Sequence, residues 1–203
     1  MADPDTGGDA GTCPPGMVCI PEIPTDPYPE SRFIGSDNDD TVNMGGGPDV
    51  AHGRGGNDAI KGGANADRLY GGDGDDILLG QGSNDKLIGG SGDDTLDGGG
   101  QDDRIYGGDG SDMIIGGDGN DVLYGDNPAD ADDAEGWADT FVFDDDDGLD
   151  KVFDFETGLD RILLTSGGTY TLAYDGDHST LRYGGSTVKF YDEIVSSSDI
   201  LFV

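Results

Sequence analysis

Between Gly35 and Tyr124 the apolar residues fall on a fixed beat of nine. The segment divides without insertion into ten blocks: GSDNDDTVN, MGGGPDVAH, GRGGNDAIK, GGANADRLY, GGDGDDILL, GQGSNDKLI, GGSGDDTLD, GGGQDDRIY, GGDGSDMII and GGDGNDVLY. Position eight is apolar in every block, running Val42, Ala51, Ile60, Leu69, Leu78, Leu87, Leu96, Ile105, Ile114, Leu123. Self-similarity at a fixed period predicts a solenoid. Gly holds position one in nine blocks and position four in six, with Asn38 and Asn65 also at position four. Gly and Asn suit tight turns, because they take backbone conformations that other residues resist. Each block therefore predicts a six-residue turn and a three-residue strand whose middle side chain points inward. Two blocks close one coil, and coils stack with equivalent strands about 4.8 Å apart. The fold class is all-β.

Outside this segment the beat stops. Residues 1–33 hold seven of the nine prolines and read as an extended linker or tail, joined to a further upstream domain. Residues 34–125 form the repeat roll, and 126–203 a C-terminal capping region. An acidic insertion, Asn127 to Trp137, opens that region, and apolar alternation restarts at Ala138–Phe143. Further strands are predicted at Lys151–Phe155, Arg161–Leu164, Thr169–Tyr174, Ser179–Tyr183 and Ser186–Tyr191. Most of the aromatics lie here and supply the end-piece that covers a solenoid's last open coil.

Composition sharpens the picture. Position six is Asp in all ten blocks: Asp40, Asp49, Asp58, Asp67, Asp76, Asp85, Asp94, Asp103, Asp112 and Asp121. Stacking puts these carboxylates in columns of like charge, which repel unless a cation lies between them. The formal net charge is −34, and 39 of the 44 acidic residues are Asp. That balance argues against nucleic acid and anionic membrane as partners. Carboxylate and carbonyl oxygens suit Ca²⁺, which takes six to eight of them. Metal binding and folding are then expected to be one event.

The blocks resemble the GGxGxDxUx nonapeptide of RTX (repeats-in-toxin, hemolysin-type) proteins, which Gram-negative bacteria secrete. The resemblance implies a right-handed parallel β-roll, two nonapeptides per coil, with an antiparallel-rich β cap. It implies that the position-six aspartates ligate calcium through their carboxylates. It further implies carbonyl ligands from the turns: Gly53, Gly55, Gly62, Ala64, Gly71, Asp73, Gly80, Gly82, Gly89, Ser91, Gly98, Gly100, Gly107, Asp109, Gly116 and Asp118. Four gaps on each edge would hold up to about eight ions. The departures lie in the first two blocks, where Ser36, Asn38, Met44 and Pro48 break the pattern.

After the repeats, Ala138–Phe143, Asp150–Phe155 and Gly158–Leu164 resemble the corresponding segment of serralysin-type secreted metalloproteases, although Leu163 stands where that family usually has Asp. The terminal Ser198-Asp199-Ile200-Leu201-Phe202-Val203 is similar to the uncleaved signal of type I secretion substrates, the reading placed first, and can at the same time be a last edge strand. No amino-terminal signal peptide and no membrane-spanning apolar run is expected.

Catalysis within these residues is not expected. No G-x-S-x-G, H-E-x-x-H or P-loop occurs, and His52 and His178 read as plain surface residues. The run Asp144–Gly148 lacks the Glu an EF-hand needs and reads as a solvated loop. Cys13 and Cys19 close a small disulfide loop or remain two free thiols. The sequence thus predicts a calcium-binding module that folds outside the cell, is handled by type I secretion machinery, and stabilises a secreted protein. The alternative is a calcium-dependent adhesion or polysaccharide-binding module of a larger enzyme. An ice-binding surface is excluded, because position three carries no row of Thr.

Overall fold

The structure is a computed structural model and describes residues 30–126, 136–145, 147–166, 168–191 and 193–203. Cys13, Cys19, most of the expected linker and most of the acidic insertion lie outside the described residues. Among those described, every regular element is a strand. The repeat strands are β1 (Arg32–Ile34), β2 (Thr41–Gly46), β3 (Val50–Gly55), β4 (Ala59–Ala64), β5 (Arg68–Asp73), β6 (Ile77–Gly82), β7 (Lys86–Ser91), β8 (Thr95–Gly100), β9 (Arg104–Asp109), β10 (Met113–Asp118) and β11 (Val122–Tyr124). The later strands are β12 (Thr140–Phe143), β13 (Leu149–Phe153), β14 (Arg161–Leu164), β15 (Tyr170–Tyr174), β16 (Ser179–Tyr183), β17 (Ser186–Phe190) and β18 (Ile200–Phe202).

Alternate strands join alternate sheets. Sheet A has ten strands in the order β1-β3-β5-β7-β9-β11-β13-β17-β16-β15, and sheet B has eight in the order β18-β14-β12-β10-β8-β6-β4-β2. Pairing is parallel throughout the repeats, with Leu69 beside Leu87 and Leu87 beside Ile105, one 18-residue coil apart. Between the sheets runs a one-residue-wide core. All ten position-eight side chains are buried, and Met44, replacing Gly at position one of the second block, is buried with them.

The strands are longer than the blocks suggest. Strands β2 to β10 have six residues each, taking positions seven to nine of one block and one to three of the next. The turn proper is thereby reduced to positions four to six. Glycine accounts for the difference, for two separate reasons. Position two reaches positive φ, as at Gly72 (φ 127°), and Arg54 and Gln81 accept the same strained geometry. Position one has no such φ. A β-carbon on Gly71 would overlap Asp76 Oδ2 and press on the Gly89 carbonyl oxygen at 2.6 Å.

The C-terminal region extends both sheets. Strands β12, β14 and β18 continue sheet B in parallel, and β13 and β17 continue sheet A. Antiparallel pairing is confined to β15, β16 and β17. Phe141, Phe143, Phe155, Tyr183 and Phe190 fill this end of the core, with Phe155 edge-on to Phe190 at 5.1 Å.

Candidate metal centre

The position-six aspartates form two buried columns, one along each edge of the roll. From Asp49 to Asp121 they are between 0% and 3% exposed. Within a column each backbone N–H donates to Oδ1 of the Asp one coil on. Asp58 donates to Asp76, Asp76 to Asp94 and Asp85 to Asp103, all at 2.7 Å. The carbonyl of each accepts from position seven of the next coil, as Asp76 does from Thr95 at 2.8 Å. Three of the four backbone and carboxylate groups are therefore used.

Oδ2 is not. In Asp49, Asp58, Asp67, Asp76, Asp85, Asp94, Asp103, Asp112 and Asp121 this oxygen is buried without a hydrogen-bond partner. A buried carboxylate oxygen left unpaired is costly, so a column of them implies a counter-ion. In Asp58, Asp76, Asp85, Asp94, Asp103 and Asp112 it lies against the position-one glycine of its own turn, beside the position-one carbonyl of the next coil, as Asp76 Oδ2 does with Gly71 and Gly89. Position-three carbonyls accept one hydrogen bond each, Ser91 from the Gly74 amide and Asp109 from the Gly92 amide, both at 2.7 Å, and keep a second lone pair. Among the described residues no three His, Cys, Asp or Glu side chains converge, so an ion here would complete its shell with carbonyl or water oxygens. That mixed oxygen set suits a hard cation of the size of Ca²⁺.

Electrostatics agrees. Burial pushes the Asp94 carboxyl up to about 7 and those of Asp103 and Asp112 up to about 8, and neighbouring carboxylates add to the rise. Asp58 and Asp85 rise to about 6, and Asp67 and Asp121 to about 7, again chiefly by burial. Asp49 and Asp76 move in the same direction.

Asp40 differs from the other nine. Its Oδ2 accepts the Ser36 amide at 2.7 Å and the Ser36 hydroxyl at 3.1 Å, so the first rung closes on itself. The columns also outrun the repeats. Asp112 donates to Asp139, Asp139 to Asp160 and Asp121 to Asp150, at 2.9, 3.0 and 3.0 Å. Asp150 Oδ2 is an orphan like those before it, whereas Asp160 Oδ2 accepts the Glu156 amide at 2.8 Å. These three residues escape a nine-residue reading, yet each stands two before a buried apolar residue: Phe141, Val152 or Ile162. A second, exposed column runs through position five, where the amides of Asp93 and Ser111 donate to Asp75 Oδ1 and Asp93 Oδ1.

A family model of the RTX calcium-binding nonapeptide repeat, in four copies, matches residues 44–78, 52–87, 70–105, 79–114 and 97–127. Residues 44–127 are RTX calcium-binding repeats. These repeats form the parallel β-roll described above. No curated protein matches the chain. Among solved structures it is similar to the extracellular lipase LipA from Serratia marcescens, at 19% identity and TM-score 0.35, covering 86% of this chain and 40% of the lipase. It is also similar to the AlgE6R3 subunit of the Azotobacter vinelandii mannuronan C5-epimerase, at 17% identity and TM-score 0.24, covering 93% and 86%. Likenesses this slight carry neither protein's activity over to this chain. No helix among the described residues is long and apolar enough to cross a membrane.

Proposed function

We infer that this chain is a calcium-triggered folding module of a secreted Gram-negative protein, holding no catalytic site of its own. One observation carries the reading: the two unbroken columns of buried, partnerless Oδ2 atoms between Asp49 and Asp121. Asp58, Asp76, Asp94 and Asp112 serve one edge, and Asp49, Asp67, Asp85, Asp103 and Asp121 the other. Position-one and position-three carbonyls complete each shell, and Asp150 extends the second edge. Bound calcium supplies the positive charge that lets stacked carboxylates stay ionised. The chain's own residues set the spacing, one carboxylate per coil, and Oδ1 is locked by the neighbouring amide so that Oδ2 faces the gap.

Ligand binding to the folded state alone shifts the folding equilibrium by mass action. At low cytosolic calcium the module stays open and passes through a type I secretion channel, and it folds outside, stabilising whatever it is attached to. The exposed Leu201, Phe202 and Val203 at the C-terminus suit recognition by that machinery.

Far-ultraviolet circular dichroism during a calcium titration of the stripped chain, with magnesium as control, tests the coupling. A calcium-specific coil-to-β transition is expected. A β spectrum already complete without calcium, or absent at millimolar calcium, would remove the switch. Export of the chain by a type I system, compared with a chain lacking residues 198–203, tests the secretion step.

A further inference from the structure

The outer face of sheet B is apolar and nearly uncharged. Along β2 to β10 its outward residues come from positions seven, nine and two, alternating with the buried position-eight side chains. Position two is glycine on four of these five strands and Gln81 on β6, so one column of the face is almost bare backbone. At positions seven and nine, Ile77 and Met113 are exposed and Leu79 and Ile115 half-buried. The three columns hold two charges, Lys61 on β4 and Asp97 on β8, in a chain whose net charge is −34.

Those two charges are placed symmetrically. Lys61 stands in register with Leu79, and Leu79 with Asp97, so a cation and an anion flank Leu79 one coil away on either side. Two coils hold them roughly 10 Å apart, and neither makes an ion pair with a described residue. The Asp97 carboxyl is half-buried between Leu79 and Ile115, and burial raises it above its ordinary range. A carboxylate so placed is stabilised by a cation brought to it from outside.

We propose that a second copy of this chain packs on this face, sheet B against sheet B, about a two-fold axis lying along β6. Such an axis keeps the strand direction and reverses the order of coils. Strand β4 of one copy then faces β8 of the other, which sets Lys61 against Asp97 and Asp97 against Lys61 in one operation, as an isologous contact requires. Ile77 and Leu79 meet their own counterparts on the axis. Charge selects this occupant: the rest of a chain of net charge −34 repels its own kind, whereas these columns sum to zero and their order, cation, apolar, anion, complements its own reverse. Five strands at about 4.8 Å and six residues per strand give a footprint of about 24 by 20 Å. Two such footprints bury roughly 1,000 Å², the lower end for a specific interface, so the dimer is weak and forms in the micromolar range. Below that concentration the chain is monomeric, and its unfolding is indifferent to this face. Exposed Asp39, Asp75 and Asp93 line one rim, where the two copies stand about 10 Å apart. That gap exceeds the ~8 Å Debye length at physiological salt, and low salt should loosen the dimer.

Sedimentation equilibrium of the calcium-saturated full chain at physiological salt is the test. A reversible monomer–dimer equilibrium is expected. Lys61→Asp puts like charges into two symmetry-related contacts and should weaken it about tenfold or more. Adding Asp97→Lys to that variant should restore the affinity to within about threefold. Ile77→Glu should leave only monomer, and Arg68→Glu on sheet A, which changes the net charge as much as Lys61→Asp does, should leave the dimer intact. Lys61 and Ile77 are exposed, so their variants keep the fold even where the double exchange does not. Each variant is first carried through the calcium titration by circular dichroism, which reads failure of calcium-driven folding separately from failure to associate. A monomer at every concentration up to about 1 mM, assemblies that grow beyond two, a dimer indifferent to Ile77→Glu, or equal weakening by Arg68→Glu and Lys61→Asp would each overturn the proposal.

Discussion

The amide of Asp94 donates to Oδ1 of Asp112 at 2.8 Å, one coil away, while Oδ2 of the same Asp112 has no partner. One oxygen of the carboxylate builds the stack and the other destabilises it. Asp112→Asn separates the two roles. The amide oxygen still accepts from Asp94, but the charge facing the gap is gone. The calcium midpoint should rise, with the loaded fold weakened on the order of 2 kcal/mol, the scale of a contact to a charged group. Asp40→Asn, whose Oδ2 is already satisfied by Ser36, should shift the midpoint much less. Calcium titrations of both variants by circular dichroism make the comparison.

Acid should partly replace calcium. The carboxyls of Asp103 and Asp112 sit near 8 in the fold against a starting value of 3.8, raised first by burial. A folded-state pKa above the unfolded one means that the fold binds more protons, so its stability falls with rising pH across that interval. In the calcium-free chain this contribution is complete below about pH 4 and is lost progressively up to about pH 8. Calcium-stripped protein should gain β signal on acidification from pH 8 to pH 5. Calcium binding near pH 7 should release protons, measurable in weakly buffered solution. A β signal that declines over the same acidification would contradict this.

Glycine at position one should be irreplaceable where an Asp Oδ2 lies against it, as it does at Gly71 though Met44 fills the same position in the second block, whereas glycine at position three should not be. Gly71→Ala drives a methyl group into Asp76 Oδ2 and should cost about 1–3 kcal/mol or abolish folding. At Gly82 a β-carbon meets nothing within 4 Å, and Gly82→Ala should stay within about 0.5 kcal/mol. Thermal melts in saturating calcium distinguish the two.

The core is one residue wide, so each inward position matters. Leu87→Ala opens a cavity between Leu69 and Ile105 and should cost roughly 2–5 kcal/mol. Ile77→Ala, on the outer face of sheet B and 47% exposed, should be nearly silent. Urea unfolding with calcium held constant reads both.

Much of this architecture is legible in the primary structure, because a nine-residue beat states both the core and the carboxylate column. Leu87 and Asp85 can be placed from spacing alone. What spacing hides has identifiable causes. Asp139, Asp150 and Asp160 continue the columns after gaps of 27, 29 and 21 residues, so the beat loses them although their Asp-x-apolar signature persists. The column Arg68, Lys86, Arg104 on sheet A is invisible at a period of nine, where Arg68 alternates with Ala59 and Ile77. It emerges at 18, the true coil, which sends successive blocks to opposite sheets. Strand length was underestimated because glycine after position nine suggests a turn, whereas Gly71 is there for clearance and remains within β5.

The meander formed by β15, β16 and β17 bears on how these molecules meet one another. A stack of equivalent coils is open at both ends, and each end offers the edge on which another copy could continue the pattern. Sheet A ends instead on β15, which runs antiparallel to its neighbour β16, and begins on the three-residue β1. A second molecule arriving at that edge would find neither the parallel direction nor the carboxylate register it needs to prolong the series. Geometry that could seed a fibre is thereby interrupted at that edge of sheet A.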